Sequence, residues 1–482
     1  MNYGIVTKVL GSLLVFEAIM LAPAILVSLY YREPEVNAFL YTVLLTLLIG
    51  IPCARFSQSS RKIKAKEALI IVAGGWVVVS FFGALPFYFS GSIPHLMDAF
   101  FETMSGLTTT GATILDDIES LPRGILFWRS FTHWLGGMGI LVLTLAILPA
   151  IGVGGFQIFK AESPGPVSDK LVPKMQHTAT ILYTAYFGMT VLQTVLLMFG
   201  GLNLYEALVH TFGTVGTGGF SIYNDSVGAY ESAYVQWIIT IFMIGAGINF
   251  ALYYELYKKK LVNVLDNAEL RLYLLLLSAA MLILFVNLQF QQSGVWTENL
   301  RHTAFQVASI MTTTGYTTLD YELWTPFSQS VIFFLMFVGG CAGSTGGSIK
   351  VIRILVLFKL VKRQILKVLH PRAMVPIQVQ GRMLQADTIA SVTSFFFLYM
   401  LILVGGTMIL SLEGLDLISA ISSAAATLGN IGPGFGFIGP TQTYSEFSYL
   451  SKGILSLFML MGRLELFTVF ILLTPSFWSE SK

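Results

Sequence analysis

One segment decides the fold of this chain: residues 97–111, which read MDAFFETMSGLTTTG. Its first part, Met97–Thr108, is apolar enough to enter a bilayer but too short to cross it, because a transmembrane helix needs about 20 residues. The loop that follows, Thr108-Thr109-Thr110-Gly111, is tolerated at membrane depth only where it is buried in protein or lines water. The segment therefore predicts a half-length helix that enters the membrane and returns through a polar loop.

Three further segments repeat this arrangement. Half-length helices are predicted at Leu204–Thr214, Glu298–Met311 and Leu415–Thr427. The loops after them read Gly216-Thr217-Gly218-Gly219, Thr312-Thr313-Thr314-Gly315 and Gly429-Asn430-Ile431-Gly432. From Gly111 onward, the final glycines are 108, 96 and 117 residues apart. That period is the length of a helix–loop–helix unit, and parallel units are expected around an axis along the membrane normal.

Composition restricts the class of protein. Of the 482 residues, 55% are hydrophobic and 11% are charged, whereas soluble proteins carry about 25% charged residues. Apolar runs near the length of a membrane span recur along the chain, and the short alternating segments of a β-barrel do not. A water-soluble enzyme is excluded, and the net charge of +2 gives no reason to expect a nucleic-acid partner.

Basic clusters set the topology, because lysine and arginine concentrate on the cytoplasmic side. The clusters are Arg55 to Lys66, Lys160 to Lys174, Lys258 to Lys260 and Lys359 to Arg372. The sequence predicts an all-α membrane protein with about ten transmembrane helices: an initial hairpin, then four parallel helix–pore loop–helix repeats around a central pore. Both termini are expected to be cytoplasmic. The predicted units are 1–66 (hairpin), 67–176, 177–262, 263–378 and 379–482.

The four loops have the chemistry of a filter for monovalent cations. Backbone carbonyls can replace the water around such an ion, and glycine permits the positive φ that points successive carbonyls the same way. The loops contain no Asp or Glu, which disfavours a divalent-cation ring. The alternative is that glycine and threonine only allow close helix packing. The predicted filter residues are Thr109, Thr110, Gly111, Gly218, Gly219, Thr313, Thr314, Gly315, Asn430, Ile431 and Gly432.

A gate is predicted in the stretch Gly339–Gly347, called the glycine loop below. Five glycines in nine residues oppose a continuous helix, since each costs about 1 kcal/mol relative to alanine. Arg463, expected mid-span in the last helix, is the second element, because an intramembrane arginine is costly and usually functional. The alternative for the glycine loop is a tight helix crossing, and the alternative for Arg463 is a structural ion pair. The predicted gating residues are Gly339, Gly340, Gly343, Ser344, Thr345, Gly346, Gly347 and Arg463.

Other functions are weighed against the same residues. A symporter coupling K⁺ to Na⁺ or H⁺ is the main alternative, and it would need a carboxylate along the path. An enzyme or receptor would need a catalytic cluster or a soluble domain, and the sequence offers neither. A phosphate-binding loop at the glycine loop is rejected because Lys350 comes too late for that motif. Glu17 is predicted to be a packing or interface residue.

The loop motifs resemble those of the Trk/Ktr/HKT superfamily of cation transporters. The stretch from His133 to Gly139, the glycine loop and Gly462-Arg463-Leu464-Glu465 look like its bacterial TrkH-type subfamily. The resemblance implies a K⁺ uptake subunit of the bacterial inner membrane that forms a homodimer, binds K⁺ and works with a cytosolic nucleotide-binding subunit of TrkA type. The second and fourth loops depart most from the threonine pattern, which implies weaker discrimination among K⁺, Na⁺ and Rb⁺.

Overall fold

The computed structural model describes residues 1–56, 63–137, 139, 175–291 and 295–479. The predicted basic positions Arg61, Lys62, Lys160, Lys170 and Lys174 lie outside the described residues, as does Met138. The described part is helical, apart from a two-stranded antiparallel hairpin of β1 (Gln378–Val379) and β2 (Arg382–Met383). The all-α fold class is therefore confirmed.

The α-helices are numbered here in chain order. They are α1 Tyr3–Met20, α2 Ala22–Tyr31, α3 Val36–Phe56, α4 Ala65–Phe89, α5 Leu96–Leu107, α6 Arg123–Gly137, α7 Met175–Phe199, α8 Leu204–Val215, α9 Ala233–Ala246, α10 Phe250–Tyr257, α11 Leu261–Leu265, α12 Ala268–Gln291, α13 Trp296–Met311, α14 Pro326–Leu335, α15 Val351–Leu369, α16 Ala386–Ser411, α17 Leu417–Leu428, α18 Tyr449–Arg463, α19 Phe467–Phe470 and α20 Pro475–Trp478. Short 3-10 turns lie at Ser226–Ala229, Tyr321–Leu323, Gly436–Ile438 and Ile471–Leu473.

Long apolar helices make this a multi-pass membrane protein. In the described ranges, six helical segments are long and apolar enough to cross a bilayer, and eight are if each of two sharply bent pairs is one span. The bent pairs are α9 with α10, at 93°, and α18 with Phe467–Leu473, at 118°. Helix α6 reaches residue 137, where a gap in the described ranges follows, so the total of about ten spans stays a prediction.

The first hairpin packs closely against itself and against α4. Helices α1 and α3 approach so tightly that a Cβ at Gly11 would meet the backbone of Ala54 at 2.6 Å. Helix α1 also carries Glu17, which is 3% exposed and whose carboxylate oxygens have no hydrogen-bond partner among the described residues. A Cβ at Gly83 of α4 would lie 2.9 Å from Oε1 of Glu17. Glu17 is thus buried between α1 and α4.

The half-length helices are α5, α8, α13 and α17, and their ends differ from the predicted ends by no more than two residues. Each packs against the longer helices beside it in sequence, as α5 does against α4 and α6. Contacts between α6 and α8, α9 and α13, and α18 and α5 join helices that are distant in sequence. The four half-length helices are consequently held around a common centre.

Local sequence explains where these helices begin. Asn203 accepts the backbone N–H of Glu206 at 3.0 Å, and Glu206 returns the bond to the N–H of Asn203, which forms a capping box at α8. Asp416 caps α17 by accepting the N–H groups of Ile418 and Ser419 with its carboxylate. The hydrogen bond from the Ser419 side chain, followed by these amides, lowers the pKa of the Asp416 carboxyl.

Candidate functional site

The four loops share one backbone conformation. In each loop the final glycine and the residue two positions before it have positive φ. The values are 56° and 79° for Thr109 and Gly111, 54° and 81° for Thr217 and Gly219, 60° and 81° for Thr313 and Gly315, and 53° and 94° for Asn430 and Gly432. Threonine and asparagine in this region are strained by about 1–3 kcal/mol each. Four repetitions of the same strained geometry indicate a functional requirement.

The loops also contact one another in a closed ring. A Cβ added to Gly111 would fall on the carbonyl oxygen of Gly218 in the second loop. The same test places Gly219 against Thr314, Gly315 against Ile431, and Gly432 against Thr110 of the first loop, 2.6 Å away in that last case. Each glycine thus lies against the carbonyl oxygen that precedes the next glycine in the ring. Glycine is required here because the obstructing atoms are backbone.

Hydroxyl groups support the ring from behind. Oγ1 of Thr108 lies 2.8 Å from Oγ1 of Thr110, and Oγ1 of Thr312 lies 2.7 Å from Oγ1 of Thr314. The second and fourth loops lack this threonine pair. In the fourth loop, Nδ2 of Asn430 instead donates to Oγ1 of Thr110 at 3.0 Å. The ring is therefore asymmetric in its side chains although its backbone repeats.

A cavity opens on one side of the ring. Its volume is about 110 Å³, and all four final glycines line it together with Asp116, Asn224 and Tyr444. Arg129 also lines it, paired with the buried Glu102 at 2.7 Å and donating to the carbonyl oxygen of Ser221 at 2.8 Å. The four final glycines thus border one shared cavity.

The glycine loop lies on the other side of the ring. The chain is not helical from Met336 to Lys350, between α14 and α15. The N–H of Gly347 donates to Oγ1 of Thr313 at 2.7 Å. A Cβ at Gly346 would lie 2.9 Å from the carbonyl oxygen of Thr312, and one at Gly347 would fall on that of Gly429. The loop therefore packs directly beneath the third and fourth loops.

A broken span holds the glycine loop from the side. At the 93° bend between α9 and α10, the carbonyl oxygen of Gly247 accepts the N–H of Cys341 at 2.9 Å. The N–H of Phe250 donates to the carbonyl oxygen of Gly343 at 3.0 Å. Sequence analysis did not identify this break, although Gly245, Gly247 and Asn249 within an apolar run are a recognisable signal for it.

Arg463 joins the glycine loop to the ring. Its Nη1 lies 2.9 Å from the carbonyl oxygen of Thr345 and 3.3 Å from Oγ1 of Thr109. Its Nη2 donates to the carbonyl oxygens of Gly136 and Gly137, each at 2.5 Å. Helix α18 ends at Arg463 and the chain then bends by 118°, so the expected last helix is broken at this residue. The guanidinium thus caps carbonyl groups just below the ring.

The remaining predicted residues lie in the same two layers. Thr110, Gly218, Thr314 and Ile431 supply the carbonyl oxygens that face the glycines. In the glycine loop, Oγ of Ser344 donates to the carbonyl oxygen of Cys341 at 2.6 Å. Gly339 has a φ of 74°, and a Cβ at Gly340 would lie 2.8 Å from Oγ of Ser344. The structure therefore brings the predicted filter and gate residues together.

Charged residues outside the predicted set complete the site. Glu465 forms an ion pair with Arg353 of α15. Glu269 of α12 accepts two backbone N–H groups near the glycine loop. No spacing along the chain signals these contacts, because the partners are 73 or more residues apart. Within the described residues, no cluster of His, Cys, Asp or Glu could hold a metal ion.

The fold and the site define a class of protein: a multi-pass helical membrane protein in which four half-length helices present their loops to one shared ring of backbone oxygens. The sequence profile of the TrkH family, described as a cation transport protein, matches residues 35–481. This chain belongs to the TrkH family of cation transport proteins. The family resemblance seen in its loop motifs is confirmed.

Individual relatives match over nearly the whole chain. The Trk system potassium uptake protein TrkH of Escherichia coli (strain K12) is 39% identical, with 100% of both chains covered. The protein of the same description from Halomonas elongata is 36% identical, again over 100% of both chains. The crystal structure of the potassium transporter TrkH from Vibrio parahaemolyticus superimposes with a TM-score of 0.89 at 34% identity, covering 99% of this chain and 100% of that one.

Proposed function

We propose that this chain is the ion-conducting subunit of a potassium uptake system, passing K⁺ down its electrochemical gradient. The observation that carries the proposal is the closed ring in which each final glycine lies against the carbonyl oxygen of the next loop. Such a ring offers uncharged oxygens in place of an ion's hydration shell. The C-terminal ends of four half-length helices add a favourable potential for a cation.

The choice of K⁺ draws on the relatives, which are named potassium uptake proteins of a Trk system. Potassium is the cargo in this proposal and not a cofactor. Because these relatives are described as parts of a Trk system, we also expect an assembly of several components. Our proposal includes a cytosolic nucleotide-binding subunit of TrkA type, a homodimer, the bacterial inner membrane and cytoplasmic termini. The division into a hairpin (1–66) and four repeats is part of the same proposal.

The glycine loop and Arg463 are the proposed gate. The loop hydrogen-bonds to Thr313 of one filter loop, and Arg463 contacts both Thr345 and Thr109. A cation leaving the ring would meet backbone atoms and a positive charge. Conduction then requires the glycine loop to leave this position. The second and fourth loops lack the threonine pair, which suggests weaker discrimination among K⁺, Rb⁺ and Na⁺ than four identical loops would give.

Flux measurements in proteoliposomes test this function. The purified chain is reconstituted, and uptake of radioactive Rb⁺ is driven by an outward K⁺ gradient with Na⁺ and proton gradients absent. A channel predicts uptake under voltage alone and loss of uptake in Gly315→Ser and Gly111→Ser. Uptake that appears only with a Na⁺ or proton gradient would instead establish a symporter. Parallel assays with Na⁺ and Li⁺, with and without the regulatory subunit, give the ion preference.

A further inference from the structure

A buried carboxylate joins the two flanks of the glycine loop. Glu269, the second residue of α12, is 5% exposed. Its Oε1 accepts the N–H of Ala342 at 2.6 Å and the N–H of Ile352 at 3.1 Å. Ala342 lies inside the glycine loop and Ile352 in the first turn of α15. One oxygen atom therefore ties both flanks to the same point on α12.

The neighbouring cations have other partners. Arg353 pairs with Glu465, and the ammonium group of Lys350 donates to the carbonyl oxygen of Gly346. Among the residues that the structure describes, Glu269 has no ion pair within 4.0 Å. Both of its hydrogen bonds come from backbone amides and go to the same oxygen atom. The carboxylate thus holds the backbone at Ala342 and Ile352 and does not orient another side chain.

The residues between these anchors make the contacts that oppose conduction. Gly347 bonds to Thr313, Thr345 accepts from Arg463, and Gly343 accepts from Phe250. All three bonds need the glycine loop at its present height beneath the ring. A loop whose flanks were released could lose them together, since they are not independent of one another.

We propose that Glu269 is a positioning residue of the gate, anchoring both flanks of the glycine loop so that only Gly343–Gly347 moves when the pathway opens. The inference rests on the proposed function of this loop as a gate. It predicts that removal of the carboxylate weakens the closed arrangement, while an amide at the same place preserves it. Glutamine keeps an Oε1 acceptor for both N–H groups.

The first test measures Rb⁺ uptake without any regulatory subunit. We expect Glu269→Ala to raise basal uptake by roughly tenfold, because it removes two hydrogen bonds from the closed arrangement. Glu269→Gln should remain close to the unsubstituted chain. Glu67→Ala is the matched control, because Glu67 is 4% exposed and also accepts two backbone N–H groups, from Asn2 and Lys64, both at 2.9 Å. It should leave uptake unchanged.

The second test follows the loop itself. Cys341 lies in the glycine loop, is 1% exposed and is one of two cysteines, the other being Cys53. In a Cys53→Ser background, the rate at which a small thiol-directed reagent labels Cys341 reports exposure of the loop. Glu269→Ala should accelerate labelling by about tenfold, in line with the shift in flux. Glu269→Gln and Glu67→Ala should not change the labelling rate. Adding Cys341→Ser measures the labelling that does not come from Cys341.

These outcomes separate the anchor from the filter. If Glu269→Ala matches Glu67→Ala in both uptake and labelling, or if folded Glu269→Ala loses uptake, the anchor is refuted. Uptake raised by Glu269→Ala but insensitive to an added Gly315→Ser would not pass through the ring, and it would also refute the anchor. Failure of Gly315→Ser to reduce uptake in the otherwise unsubstituted chain would instead reject the proposed function. If Glu269→Ala does not fold, accelerated labelling in Glu269→Gln overturns the anchor and unchanged labelling supports it.

Discussion

Nη1 of Arg463 lies 2.9 Å from the carbonyl oxygen of Thr345, so the last residue of helix α18 is bonded to the centre of the glycine loop. The same guanidinium reaches Thr109 of the first filter loop and the carbonyl oxygens of Gly136 and Gly137. A single positive charge therefore binds the gate, the ring and the end of α6. These carbonyl and hydroxyl oxygens all accept hydrogen bonds from the guanidinium.

Replacing Arg463 by Gln should increase ion flux. Glutamine carries no charge and cannot reach four acceptors at once, so the closed loop loses bonds that contribute about 1.5–3 kcal/mol each. We expect basal Rb⁺ uptake to rise at least tenfold. Arg463→Lys keeps the charge but not the planar fork of donors. Its uptake should lie between that of the unsubstituted chain and that of Arg463→Gln. Equal uptake in all three proteins would remove Arg463 from the gate.

Substitution of a ring glycine should have the opposite effect. A Cβ at Gly315 would fall on the carbonyl oxygen of Ile431, and its φ of 81° disfavours any side chain. Gly315→Ala should lower Rb⁺ uptake at least tenfold, because about 1.4 kcal/mol of lost ion stabilisation has that effect. Gly405→Ala is the control, because among the described residues no atom outside its own stretch of helix lies within 4 Å of the added Cβ. Similar uptake in both variants would contradict the ring.

The positions of the half-length helices and their loops could be predicted because each carries its signal locally. An apolar run too short to span the membrane, followed by a glycine, appears four times at a regular spacing. The sequence also carries the glycine-rich break before α15, since five glycines in nine residues disfavour a helix. Both features depend on residues that are neighbours in the chain.

The contacts that hold the proposed gate could not be predicted because they join distant residues. Thr345 and Arg463 are 118 positions apart, and Glu269 and Ala342 are 73 apart. The end of α18 at Arg463 also lacks a local signal. Two residues just beyond it, Glu465 and Leu466, have φ values of 56° and 62°, yet neither is a residue type that favours this region. Tertiary packing alone produces that turn.

The bond between Thr313 and Gly347 gives a further prediction. Oγ1 of Thr313 accepts the N–H of Gly347 at 2.7 Å, and both residues are buried. Thr313→Val keeps the branched shape but leaves that N–H without a partner, at a cost of about 1–3 kcal/mol to the closed loop. Basal Rb⁺ uptake should rise several-fold, about fivefold or more on that scale.

Thr217→Val controls for the substitution itself. Thr217 occupies the same place in the second loop, with a φ of 54° against 60° for Thr313. Its hydroxyl donates to the carbonyl oxygen of Gly216 at 2.7 Å and not to the glycine loop. We expect no rise in basal uptake for this variant. A rise of equal size in both would mean that the hydroxyls act on the ring and not through the gate.

Arg129 and Glu102 form a buried ion pair, and removal of either partner should destabilise the protein strongly. The two side chains are 1% and 0% exposed, and the guanidinium also lies 3.6 Å from the centre of the Phe220 ring. Glu102 accepts from Oγ1 of Thr113 and the N–H of Ile114 as well, both at 2.9 Å. The pair thus ties the chain beyond the first filter loop to the second.

Arg129→Met should destabilise the protein by about 3–5 kcal/mol, because it leaves the Glu102 carboxylate buried without its cation. Adding Glu102→Gln should recover part of that loss, since no uncompensated charge then remains. Thermal unfolding in detergent micelles, followed by tryptophan fluorescence, measures both. The exposed pair Arg271–Asp266, with side chains 64% and 66% exposed, is the control. Arg271→Met should change stability by about 1 kcal/mol or less, and a comparable loss in Arg129→Met would show that water reaches the buried pair.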